Sequence, residues 1–297
     1  MKQTAWVPVV EGNNQSGSLT FGLDVSVDIL PFPRWGIMWG MAVVIYAGCK
    51  WLTWINRLPT SAPPWKHIAY LLGWPGMDVD TFLCGRPERV QVPDLSEWTF
   101  ASAKLVLGTS LLGLAGSVPF KSSPFLVAWT GMIGIVFTLH FGLFHLLSCF
   151  WRSKGIPATP IMNWPLASRN LSDFWGRRWN LAFRDLTSRF LFRPLQPTLG
   201  PAGALLASFL ISGLVHDLVI SVPAGGGWGL PTCYFLIQGC GILLEHSKYG
   251  RKMGLNRGLV GRVYCFSVVV LPCPLLFHTA FRQSVIVPFL QALEFVK

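Results

Sequence analysis

The chain has 297 residues, 24 of them Lys or Arg and 13 Asp or Glu; 12% are charged, 52% hydrophobic and 13% aromatic, and the mean hydropathy is +0.47. A soluble domain carries about 25% charged residues, so this composition excludes a soluble enzyme, a disordered chain, collagen and a coiled coil. It points instead to an all-α polytopic membrane bundle of about six to eight transmembrane helices. The net charge of +11 sits beside apolar stretches, where it orients a chain in a bilayer and meets anionic phosphate, so no nucleic-acid partner is expected.

Residues 1–34 are polar, then Pro-containing (Pro31, Pro33), and read as a loose or interfacial segment. The start lacks a long apolar core with a cleavage site, so no removable signal peptide is expected. Residues 35–297 read as one membrane-embedded domain. Stretches long enough to cross a bilayer lie near 36–55, 99–118, 124–148, 202–222, 228–246 and 263–281. A shorter one inside 66–83 reads as re-entrant or interfacial. Pro119 with the Lys121–Pro124 run, and Pro223 with Gly225, Gly226 and Gly227, break the chain between spans.

With six spans, the loops 50–98, 151–193 and 247–262 fall on one side and hold 18 of the 24 basic residues. The positive-inside rule places that side in the cytosol, and both termini opposite. Cys49, Cys84, Cys149, Cys233, Cys240, Cys265 and Cys273 are scattered, with no CxxC pair or Cys/His ligand spacing, so neither a disulfide framework nor a zinc site is indicated.

The loop 151–193 is patterned. From Ser172, a plausible N-cap, Trp175, Trp179, Phe183, Leu186 and Phe190 recur at helical spacing, while Arg177 and Arg184 fall on the other side. This predicts an amphipathic helix lying on the cytosolic membrane surface, which an anchoring role alone would also satisfy.

Ionisable residues inside spans are costly and therefore functional candidates: His140, His145, His216, Asp217, Glu245 and His278. His216 shares a helix face with Ser212 and Gly213, whose small side chains leave room for a substrate beside the ring. Burial favours the neutral imidazole that a general base needs. A histidine satisfied by a neighbouring helix fits the position equally. Asp217 points about a quarter turn away and is not an automatic partner. His140 and His145 read as packing or hydrogen-bonding residues, His278 as interfacial, and Glu245 as a structural partner of Lys248 or an arginine. Asp78 and Asp80 form one close acidic pair with no second acidic motif, a weak signature of a magnesium–diphosphate site. No GxSxG elbow, Walker loop or GxGxxG appears.

The run Asn163-Trp-Pro-Leu-Ala-Ser-Arg-Asn-Leu-Ser-Asp-Phe-Trp-Gly-Arg-Arg-Trp-Asn180, followed after an apolar span by Ile211-Ser-Gly-Leu-Val-His216-Asp217, resembles the membrane-bound O-acyltransferases. It is most similar to their wax-synthase-like branch, which includes fungal acetyltransferases acting on terpenoids. Trp74-Pro-Gly-Met-Asp78, His140-Phe-Gly142 and the segment Tyr234–Glu245 extend the likeness over about 66–281. The resemblance implies a multi-pass protein of the endoplasmic reticulum with a site open to cytosolic acyl-CoA. Its essential histidine matches His216, and its Trp-Asn motif matches Trp179-Asn180.

The implied reaction moves an acyl group, with acetyl from acetyl-CoA as the leading expectation, onto the hydroxyl of a lipophilic acceptor such as a terpenoid. His216 would be the base and Asn180 the positioning group, with Arg177, Arg178, Trp179 and Arg184 near the CoA phosphates and no metal required. A long-chain wax-ester synthase, a non-catalytic transporter of lipophilic metabolites and a magnesium-dependent prenyltransferase are the alternatives.

Overall fold

Helix starts are chemically marked. Asp94 accepts a hydrogen bond from the Glu97 amide (2.8 Å), and Ser123 stands before Pro124 and accepts from the Leu126 amide. These are the N-cap and first-turn chemistries that satisfy otherwise orphaned amides. The computed structural model describes residues 32–57, 61–86, 90–117 and 122–295. The segment expected at 1–34 therefore lies almost wholly outside the described residues, as does most of the 119–123 turn.

Within them every regular element is a helix, without a strand. Five helices are long and apolar enough to cross a membrane: α1 (Arg34–Ile55), α4 (Leu95–Ala115), α5 (Pro124–Ser153), α7 (Leu181–Ala224) and α10 (Gly258–Leu276). Between them lie α2 (Pro64–Gly73), α3 (Val79–Cys84), α6 (residues 171–178), α8 (Leu230–His246) and α9 (Lys248–Lys252), and residues 279–292 close the chain as α11. At 17 residues α8 is only slightly shorter than the shortest of the five, at 19. α2 and α3, ten and six residues long, reach about 15 Å at most at 1.5 Å per residue, so the 66–83 stretch does not cross.

The spans are inside-out compared with a soluble fold: only 17–28% of each apolar window is buried in the protein. Val43, Val44, Val106, Phe125, Val263 and Val270 face outward, as side chains in contact with lipid must. Packing between spans depends on small residues. A Cβ on Gly108 would meet the Thr138 backbone at 2.4 Å, and one on Gly213 would meet Thr232 Cα at 2.5 Å. Gly213 thus lets α7 and α8 cross closely. This corrects the expectation that it leaves space for substrate.

Three buried clusters result. The largest joins α1, α5, α7, α8 and the C-terminal helices around Val127, Ile220, Phe235 and Leu290. A second lies under α2 and α3, where Tyr70, Val79 and Phe82 meet Ile156, Ala182 and Leu186. The third, Leu171, Phe174, Ile242 and Cys265, fixes α6 against α8 and α10. Phe209 and Trp175 border the first and third, and Phe183 borders the second.

The expected amphipathic helix differs in detail. Its cap is Asn170, which accepts from the Asp173 amide (2.8 Å), and not Ser172. It then breaks at Trp179-Asn180 before resuming as the start of α7. Its apolar stripe is divided among the three buried clusters, so Trp175 and Leu186 anchor protein and not lipid.

Candidate active site

His216 ends the regular part of the α7 span. Its Nδ1 lies 2.7 Å from the Ser212 carbonyl oxygen. A carbonyl only accepts, so Nδ1 carries the proton and Nε2 is left with its lone pair, the tautomer of a base. No hydrogen bond engages Nε2 among the described residues. The half-buried ring packs against Phe235, centroid to centroid 4.3 Å, and meets the edge of Phe183 at 6.5 Å. Directly beyond it the backbone widens into a π-type turn over Asp217–Ser221, a distortion often found at functional sites.

Asp217 itself serves the C-terminal end of the helix. Its carboxylate accepts from the Gly229 and Thr232 amides, the Thr232 hydroxyl and the Ser221 hydroxyl, fastening the α7–α8 turn. It gives His216 no hydrogen bond.

Asn180 is built by a different device. Residues 161–164 are laced to 177–181: the Asn163 amide donates to the Arg178 carbonyl (2.8 Å) and the Leu181 amide to the Ile161 carbonyl (3.0 Å). The chain between is forced into a corner where Asn180 adopts φ 42°, ψ 64°, a left-handed conformation that Asn tolerates better than most residues. Its Oδ1 caps α7 by accepting from the Phe183 amide (3.2 Å). Phe183 therefore joins the two candidate catalytic residues, through its amide to Asn180 and through its ring to His216. Trp179 stacks on Phe174 (5.5 Å, 13°) and meets Phe141 edge-on.

The arginines separate by role. Arg178 donates to the Asp173 carboxylate (2.7 Å) and the Trp164 carbonyl (3.2 Å), and so clamps the corner. Burial would raise the Asp173 carboxyl, but the Arg178 hydrogen bond and the Arg169 amide outweigh it and hold it below the usual carboxylate range. Arg184 pairs with its exposed neighbour Asp185 (2.8 Å), a solvent-screened contact of little strength. Arg177 is exposed and its side chain has no ion pair among the described residues.

Two buried polar groups that the sequence left unassigned, or assigned elsewhere, hold the frame. Gln238 is fully buried, accepts from the Trp175 indole (3.2 Å) and donates to the Val268 carbonyl (2.8 Å). Glu245 is structural, as expected. Its partners are not Lys248 or an arginine but the Leu171 amide (2.7 Å) and the Ser172 hydroxyl (2.6 Å), so it holds the start of α6.

His145 is hydrogen-bonded as read, between Glu97 (2.9 Å) and Lys104 (2.5 Å). With Cys149 it places three potential metal donors within 4.8 Å, but Arg152 pairs with the same Glu97, and two cations occupy the cluster. Asp78 caps α3 and Asp80 pairs with Arg57 and Arg189, which leaves neither carboxylate free for a magnesium–diphosphate. The sequence missed Phe183 and Phe235 as neighbours of the imidazole; the only available signal was their position one turn past Asn180 and inside the Tyr234–Glu245 segment.

A small cleft of about 50 Å³ opens between α3, residues 157–161 and the first turns of α7, with Asp78, Thr81, Leu181, Ala182 and Asp185 in its wall. His216 is not part of that wall. Phe183 follows Leu181 and Ala182 in the chain and stands next to the imidazole.

Residues 158–237 match the membrane bound O-acyl transferase family, a stretch that contains Asn180, His216, Phe183 and Phe235. Over 101 residues the chain is 36% identical to a long-chain-alcohol O-fatty-acyltransferase of Simmondsia chinensis, covering 31% of this chain and 28% of that protein. A probable long-chain-alcohol O-fatty-acyltransferase 3 of Arabidopsis thaliana is 25% identical over 226 residues, 67% of this chain and 63% of the relative. An acyl-CoA–sterol O-acyltransferase 1 of the same plant is 29% identical over 94 residues, 29% of this chain and 27% of the relative. The chain thus spans under a third of the length of the first of these relatives.

Proposed function

We propose that the protein is an integral-membrane O-acyltransferase of the endoplasmic reticulum, moving an acyl group from acyl-CoA to the hydroxyl of a lipophilic alcohol. The observation that carries this reading is the His216 tautomer: Nδ1–H is committed to the Ser212 carbonyl, so the lone pair on Nε2 is available to a hydroxyl. The alcohol proton passes to Nε2 as its oxygen bonds to the thioester carbon. The C–S bond then breaks, and the imidazolium returns the proton to the CoA thiolate. General-base assistance of this kind contributes about 10²–10⁴-fold. Asn180 Nδ2, on the corner beside Phe183, is the group that would meet the oxyanion. Arg177, with its charge free, and Arg184, held only by an exposed neighbour, are the phosphate-binding arginines. Arg178 supports the corner, and Trp179 supports it by stacking.

The names of the similar proteins favour a fatty-acyl donor and a long-chain alcohol over the acetyl–terpenoid pair. Membranes containing the protein, given a long-chain alcohol with palmitoyl-CoA or a terpenoid alcohol with acetyl-CoA, test both. Alcohol-dependent CoA release, unchanged by EDTA and strongest with the first pair, is expected. Ester from neither pair, or transport of the alcohol without covalent change, overturns the reading.

A further inference from the structure

The hairpin after α8 has a composition unlike the rest of the molecule. Residues 247–262 contain Lys248, Arg251, Lys252, Arg257 and Arg262 and no Asp or Glu, and all five basic side chains are exposed. Arg251 donates to the His246 carbonyl (3.0 Å); the other four have no side-chain partner among the described residues. Tyr249 and Met253, 78% and 66% exposed, project from the same hairpin. Apolar side chains beside a basic cluster at the end of a span are the composition of a membrane interface.

The second observation is a groove of about 360 Å³ lined by Leu255, Leu259, Val260, Val263 and Tyr264. It runs from the hairpin along the first turns of α10. Leu259 and Val263 stand four residues apart on one face of α10, and Leu255 lines the groove from the turn before it. Arg257 immediately precedes α10 and Arg262 lies in its second turn, so the two basic residues flank the groove-lining Leu259 and Val260 in the chain. The hairpin is fixed in place: the Asn256 carbonyl accepts from Asn170 (2.8 Å), Leu255 is buried, and Gly261 packs so closely that a Cβ would meet the Arg169 carbonyl at 2.9 Å. Exposed positive charge beside an apolar groove matches one class of occupant in sign and chemistry.

We propose that this groove is a binding site for an anionic phospholipid, with its phosphate on Arg257 and Arg262 and one acyl chain along Leu255, Leu259 and Val263. The site does not depend on the acyl-transfer reading.

The purified full chain in detergent, mixed with equal phosphatidylserine and phosphatidylcholine and passed through size exclusion, tests it by mass-spectrometric counting of retained lipid. Wild type retains phosphatidylserine over phosphatidylcholine by about tenfold or more. Each removed charge costs roughly fivefold, so Arg262→Gln lowers the preference about fivefold and Arg257→Gln/Arg262→Gln abolishes it. Lys154→Gln/Arg193→Gln, with the same loss of net charge elsewhere, leaves it unchanged. Parity in wild type, equal loss in the control pair, or displacement of phosphatidylserine by saturating CoA overturns the proposal, the last by making a nucleotide phosphate the occupant. If the double variant aggregates, the single Arg262→Gln decides.

Discussion

The two halves of the candidate site are made by opposite means. His216 is delivered by a long membrane helix whose position is set by close crossing at Gly213 and by aromatic packing on Phe235. Asn180 is delivered by an interruption, a left-handed corner between two helices, held by strand-like lacing to residues 161–164 and by the Arg178–Asp173 pair. A regular helix makes the first residue robust to its surroundings. The corner makes the second dependent on several weak contacts that cooperate.

The largest effect expected is at the helix-borne residue. His216→Ala lowers ester formation by about 10²–10⁴-fold at unchanged abundance in membranes; normal turnover would remove the base from the mechanism. Asn180→Gly keeps the left-handed corner and loses only a few tenths of a kcal/mol of capping, yet turnover falls about 10²–10³-fold if the amide meets the oxyanion. A variant that is stable and fully active would reduce Asn180 to a cap. Gly213→Val forces α7 and α8 apart and costs about 1–3 kcal/mol through overpacking, read as a lower melting temperature in detergent with no selective effect on acyl-CoA affinity.

The smallest effect concerns the corner clamp. The Asp173 carboxyl is held below its ordinary value of 3.8, so its pairing with Arg178 stabilises the protein above that pH and the contribution is lost as the pH falls through the lowered value. The stability gap between wild type and Asp173→Asn should be constant above about pH 5 and close on acidification. A gap that widened in acid would reverse the assignment.

How much of this the sequence disclosed follows the same division. Hydropathy located the spans because burial in lipid demands long apolar runs, and an ionisable residue in such a run drew attention to His216. The short α2 and α3 were legible as non-crossing because a full span there would spoil the alternation of basic loops. Periodicity then misled at 172–190: the aromatic spacing is helical on both sides of Asn180, and nothing in side-chain pattern reports a backbone that reverses hand between them. The role of Gly213 was equally hidden, because a small residue beside a histidine admits either a substrate or a neighbouring helix, and only the position of Thr232 decides. Glu245 needed its distant donor partners in space before its function could be read.

That carboxylate has a consequence for biosynthesis. It bonds the Leu171 amide across 74 positions of chain, so the segment leading to Asn180 leaves the ribosome long before the residue that secures it. Nascent chains that end ahead of α8 would insert their first spans and carry both chemical groups, yet have an unmoored corner. Competence should switch on abruptly with chain length as that last tether enters the bilayer.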